Sequence, residues 1–445
     1  MRYALVNPQW TFDGSTYFGC RDPHFPLELL SAREMLRGAG HDVLLVDALM
    51  EDLTPEQVAH RLDSFDEDFL VIPTAPSYLF WRCPQPELRV PRQWIAQLGR
   101  NSKTVVIGPH GSVTPRATMT KTGADIVLRG EPDQTLPQLA TVPWEMIAGC
   151  CWRDAITGAY RSAPGLGVVD MQAVPTLDYS DYPVERHTHL HHIFPGNGAD
   201  HLKRGAEVEF ARGCPYSCTF CNKTLFRNKY RERKLSSVLA EIDQLIARGV
   251  DYIYFIDEIF GVGKQVRELL EEIAQRTVSI GFQTRIDLWT EESLDLLARA
   301  HCVSFECGIE SITDEGRDAM NKNCRITTDR ITELLIYARQ RIPWVQANLI
   351  KVPEDDPEQV AGWQANLKAH GVWVSEPVPM FPFPGSPEYV TTFGAQPDEN
   401  AWERAHAHYL NLFTGKGWSD IQEQAPLPLT ELESMEGHEL ACASC

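Results

Sequence analysis

The chain has 445 residues, room for two or three domains, and at 43% hydrophobic it can bury sizeable cores. Its 41 Lys and Arg face 61 Asp and Glu, and the resulting formal charge of −20 disfavours nucleic acid and anionic lipid as partners. With no membrane-length apolar run and no leader-like start, the expected address is a reducing cytoplasm, where 12 cysteines point to metal or thiol chemistry more than to disulfides.

From the N-terminus, short β-rich runs alternate with helical patterns. YALV (Tyr3 to Val6) reads as a strand, and LELLSAREMLRGAG as a helix stopped by Gly38 and Gly40. VLLVD, a helix opened near Thr54-Pro55, FLVI, TVVIG and DIVLRGE continue the alternation. These predict a doubly wound, Rossmann-like parallel sheet over residues 1–145, with its ligand beyond the carboxyl ends of the strands. Residues 146–205 lose the period and read as a linker with room for one small hairpin. Its run ERHTHLHH carries His187, His189, His191 and His192, which fit a connecting loop better than a metal site because no carboxylate or Cys spacing accompanies them.

A second βα series starts at 206. VEFARG leads from a strand into the stretch ARGCPYSCTFCNK. YIYFID, GFQTRID, VSFECGIES, VQANLIKVP and VWVSEPVPMFPFPG read as further strands separated by helices. Six such units over 206–395 predict a partial or complete TIM-like (β/α) barrel with its site at the carboxyl ends of the strands. The basic run RNKYRERK (Arg227 to Lys234) reads as a solvated face or a grip on a small anion. Residues 396–445 form an extension ending in a CxxC pair, Cys442 and Cys445.

Cys214, Cys218 and Cys221 fall at the predicted carboxyl end of the first barrel strand. Three thiolates so close bind a soft or borderline metal. Structural zinc wants four ligands, and Cys302, Cys307 or a tail cysteine could supply the fourth, so zinc stays open. A 4Fe–4S cube held by three cysteines leaves one iron bare for the amine and carboxylate of a cofactor such as S-adenosylmethionine (SAM). Gly213 and Pro215 suit the turn, and Phe220 is placed to shield an adenine.

Arg-Gly-Cys-Pro-Tyr-Ser-Cys-Thr-Phe-Cys resembles the defining loop of the radical SAM enzymes. FIDEIF, TRID and CGIES resemble their second- to fourth-strand motifs, and FPFPGSPEY the sixth-strand segment of the subgroup with an N-terminal cobalamin-binding-type domain. GPHGSVTP and RGEPD resemble loops of that domain. The resemblance implies a 4Fe–4S cluster on Cys214, Cys218 and Cys221. It also implies SAM contacts from Phe220, Asp257, Glu258, Arg285 and Glu310, and an electron donor such as flavodoxin or ferredoxin. The strand-end carboxylates also suit helix caps, and Arg285 also suits pairing with Asp287. Two departures stand out. Lys351 sits where such enzymes usually carry Gly, and an Asp-x-His-x-x-Gly cobalt-ligand stretch is missing, so the sequence leaves cobalamin open.

Cleavage of SAM at the ribose carbon leads to hydrogen abstraction or, with cobalamin, methyl transfer. Cleavage at the methionine Cγ releases a 3-amino-3-carboxypropyl group. The chain as a whole also resembles radical SAM enzymes of arsinothricin biosynthesis. That implies transfer of the latter group to arsenite, giving hydroxyarsinothricin, with Cys442 and Cys445 as carriers of trivalent arsenic. The alternatives are cobalamin-dependent methylation of a small natural product, and a metal-binding or redox-sensing protein without turnover.

Overall fold

A computed structural model describes residues 1–11, 24–76, 88–187, 189–190, 202–223 and 226–414. The tail pair Cys442 and Cys445, with Cys20, Cys83, His191 and His192, lies outside them.

The first sheet has the order β2-β1-β3-β4-β5-β6-β7, from β1 (Arg2–Asn7), β2 (Asp42–Asp47), β3 (Phe69–Pro73), β4 (Lys103–Ile107), β5 (Ile126–Leu128), β6 (Cys150–Arg153) and β7 (Tyr160–Ser162). The first five strands are parallel, and their order 2-1-3-4-5 puts the topological switch point between β1 and β3. Turn chemistry places the elements: Thr54 and Gln57 form a capping box behind Pro55, which opens the helix Pro55–Phe65. β6 and β7 pair antiparallel and extend this sheet to Ser162, past residue 145 where the sequence began the linker. Adjacent Cys150 and Cys151 on β6 enter two different apolar clusters, one on each face, and act as small hydrophobes.

The second sheet has six parallel strands in chain order: Gly205–Val208, Tyr252–Phe255, Ser279–Thr284, Cys302–Glu310, Trp344–Leu349 and Trp373–Val374. Each neighbouring pair is in parallel register, while the first and last strands are not paired with each other, so the barrel is partial. Helices Leu235–Ala247, Val266–Ile273, Glu291–Arg299, Thr328–Arg339 and Pro357–Ala369 cover its outside. One apolar core runs through both units. It joins Val6, Leu70 and Ile72 of the first sheet to Ala206, Val208 and Phe255 of the second through Phe25, Tyr179 and Tyr182. No helix among the described residues is long and apolar enough to cross a membrane.

Candidate functional site

The cysteine loop leaves the carboxyl end of the first barrel strand. Gly213 turns it at φ +88°, and a Cβ there would stand 2.1 Å from the Lys229 carbonyl oxygen, so only glycine fits. Three anchors hold the loop from outside: Asn321 Nδ2 donates to the Ser217 carbonyl at 2.8 Å, the Thr219 N–H to the Met320 carbonyl at 2.9 Å, and the Glu388 N–H to the Thr219 carbonyl at 3.0 Å. Lys223 Nζ donates to the Cys214 carbonyl at 2.7 Å.

Cys214, Cys218 and Cys221 are all half-buried. Burial raises each thiol above its ordinary value, Cys221 up to about 12, while Lys223 pulls Cys214 down and Lys322 and Arg285 pull Cys218 down. Such thiols stay protonated near neutrality until a metal displaces the proton. Cys302 and Cys307 do not close the set, for both are buried in the barrel core with thiols pushed up by burial. The loop itself thus offers three free thiols, the donor set expected of a cube with one open iron.

The predicted contact residues divide. Asp257 is fully buried, and its two oxygens accept the N–H groups of Phe210 and Ala211 at 2.8 and 3.0 Å. It ties down the strand that feeds the loop, a use its sequence position did not reveal. Glu258 accepts the Gly213 N–H at 2.8 Å and pairs with Arg227 at 3.3 Å, one residue from the first cysteine. Glu310 ends its strand with φ +69° at a register shift and pairs with Lys322 at 3.1 Å. Gly308 clears the space for that pair, since a Cβ there would meet Glu310 Oε1 at 2.4 Å. Arg285 pairs with Asp287, donates to the Lys322 carbonyl and stacks 3.8 Å over the Tyr216 ring. Its guanidinium braces the loop, the pairing with Asp287 that the sequence also offered. Phe220 stays half-buried beside Cys221.

Sequence reading missed Lys322 and Tyr216, whose value lies in long-range packing. It misread RNKYRERK. Arg227 is buried against Glu28, Glu209 and Glu258, Arg231 pairs with Glu131, and Arg233 with Glu241. The three arginines are internal wiring, while Lys229 and Lys234 stay exposed as expected.

At the switch point of the first sheet, Thr74 keeps a buried hydroxyl with no hydrogen-bond partner among the described residues. Beyond β4, fully buried His110 packs tilted against Trp402 of the helix Ala401–Thr414, ring centroids 4.4 Å apart.

Residues 208–363 match the family model of the Radical SAM superfamily. Over 345 residues the chain is 26% identical to the anaerobic magnesium-protoporphyrin IX monomethyl ester cyclase of Rubrivivax gelatinosus, covering 74% of this chain and 59% of that protein. It is 26% identical to the hopanoid C-3 methylase of Methylococcus capsulatus, covering 75% and 62%. The chain thus spans about 60% of the length of these curated relatives. Among solved structures, the radical SAM methyltransferase TsrM of Kitasatospora setae superposes with a TM-score of 0.67 at 18% identity, covering 87% of this chain and 74% of that one. The cobalamin-dependent radical SAM enzyme OxsB superposes with a TM-score of 0.68 at 16% identity, covering 90% and 63%. Such a domain binds a 4Fe–4S cluster and SAM, the pair that the open three-cysteine loop fits. Residues 208–363 thus match the Radical SAM superfamily, with the cysteine loop at the head of the matched region and a Rossmann-like unit packed beside it.

Proposed function

We propose that the chain transfers a carbon group from SAM to a small-molecule acceptor, with methyl transfer as the leading reading. The observation that carries SAM chemistry is the three-cysteine loop at the head of the matched region, with Lys223, Arg285 and Lys322 packed around it. A cluster held by Cys214, Cys218 and Cys221 would supply the electron that cleaves SAM. The residues do the rest. Glu258 holds Gly213 and so the first cysteine in place, Lys322 orients Glu310 at the strand end, and nearby cations offset the negative charge that ligation gathers.

Two observations favour the methyl branch. A hopanoid methylase and a TsrM methyltransferase stand among the similar proteins, and the first sheet keeps the strand order whose switch point is where a cobalamin would sit. Aminocarboxypropyl transfer to arsenite rests only on the overall resemblance and on the tail cysteines, and the comparisons lend it no support.

Reduced, reconstituted protein is incubated with SAM, with or without cobalamin and with or without arsenite, and the nucleosides are analysed. S-adenosylhomocysteine with 5′-deoxyadenosine, dependent on cobalamin, is the expected result. Methylthioadenosine with an arsenic-bearing amino acid would replace the methyl reading by the arsenic one. No cleavage in any arm would sink both and leave a metal-binding or redox-sensing protein.

A further inference from the structure

His187, read from sequence as part of a loop, is 1% exposed and sits against the first barrel strand. There it meets His24 of the Rossmann-like unit and Glu207 of that strand. His24 Nδ1 lies 2.6 Å from Glu207 Oε1, and His187 Nε2 lies 3.3 Å from Glu207 Oε2. One ligand atom from each of the three residues lies within 4.8 Å of the others.

The hydrogen bonding fixes what His187 offers. Its Nδ1 is 2.6 Å from the Gly205 carbonyl oxygen, which can only accept, so Nδ1 carries the proton. In the neutral ring Nε2 then presents a lone pair to a carboxylate oxygen, and two lone pairs at this distance repel. A positive charge between them removes the repulsion, either a second ring proton or a metal ion. A ligating histidine whose other N–H is held by a backbone carbonyl is the usual arrangement around a metal. Glu207 is held likewise, its Oε2 accepting the Phe25 N–H at 3.0 Å. Ligands of a tetrahedral ion with bonds of about 2.0–2.1 Å stand about 3.3 Å apart, the separation already present between His187 and Glu207. His24 faces the other carboxylate oxygen, so Glu207 would turn to share an ion between the two rings, and His24 would carry its proton on Nε2.

We propose that His24 Nδ1, His187 Nε2 and the Glu207 carboxylate bind one divalent first-row ion, zinc or ferrous iron by donor type, at a site separate from the cysteine loop. The ion would join the Rossmann-like unit, the linker and the first barrel strand. The inference does not depend on which group is transferred.

The test uses the full-length chain with Cys214→Ser, Cys218→Ser and Cys221→Ser, so that no cluster forms, titrated with Co2+ and then Zn2+. One equivalent of Co2+ should give ligand-field bands without thiolate charge-transfer absorption, and Zn2+ should displace it and raise Tm. His24→Gln and Glu207→Gln, added separately, should each weaken binding more than about 100-fold, beyond the usual effect of losing an outer-shell partner. Absence of one-equivalent binding, a thiolate charge-transfer band, or binding retained in either variant overturns the site and leaves an imidazolium–carboxylate pair. If a triad variant fails to fold, the Co2+ spectrum of the intact triad decides.

Discussion

At the residue scale, one glycine decides whether the cluster loop can form. Gly213 has a left-handed φ and no room for a methyl group, because the obstructing atom is backbone, the Lys229 carbonyl oxygen. A side chain there costs on the order of 1–3 kcal/mol in backbone strain alone. The alternative is to move Lys229 or the loop, and the loop carries Cys214. Gly213→Ala is therefore expected to keep the fold, read as near-native far-UV circular dichroism, but to hold well under half the iron of the wild type after anaerobic reconstitution. Full iron content would show that the loop is not set by this turn. The glycine's importance is visible in sequence because a cysteine follows it. The Glu310–Lys322 pair is not, since it depends on Gly308 and on a register shift that no periodicity announces.

At the element scale, the strands were legible because fully buried parallel strands read as short apolar runs, and every run quoted from the first sheet lies on or across one. What composition hid was the use of charge. A run with five basic residues in eight normally faces water, yet Arg227, Arg231 and Arg233 turn inward, because acids distant in sequence wait there. Glu209 shows the effect. Burial would raise its carboxyl, but Arg212 and Arg227 override burial and hold it at about 2. A depressed folded value stabilises above the unfolded value of 4.5 and loses that stabilisation as pH falls toward about 2. The difference corresponds to on the order of 3 kcal/mol. Glu209→Gln should thus be less stable than wild type at pH 7 by about that amount, and the gap should narrow between pH 4.5 and 2. Urea titrations of the cluster-free chain across that range would measure it, and a gap independent of pH would contradict the assignment.

At the scale of the whole molecule, the question is whether the Rossmann-like unit and the barrel are separable bodies. Their shared apolar core already argues against it. The charges argue further. Arg212 on the barrel side is buried against Asp133 of the first unit at 2.8 Å, and Asp133 also accepts the Ser31 hydroxyl. Arg231 reaches Glu131, and Arg227 reaches Glu28. Pulling the units apart would expose the shared apolar core to water, and the ion pairs fix the register in which the two faces meet. The two units should open together. In native-state hydrogen exchange, the slowest amides of Leu70–Ile72 in the first sheet and of Ile253–Phe255 in the barrel should report one common opening free energy, and Arg212→Met should lower both by the same amount. Two distinct free energies, with only the barrel responding to the substitution, would mean that the ion pairs at the seam are exposed by a local opening and that the units fold apart.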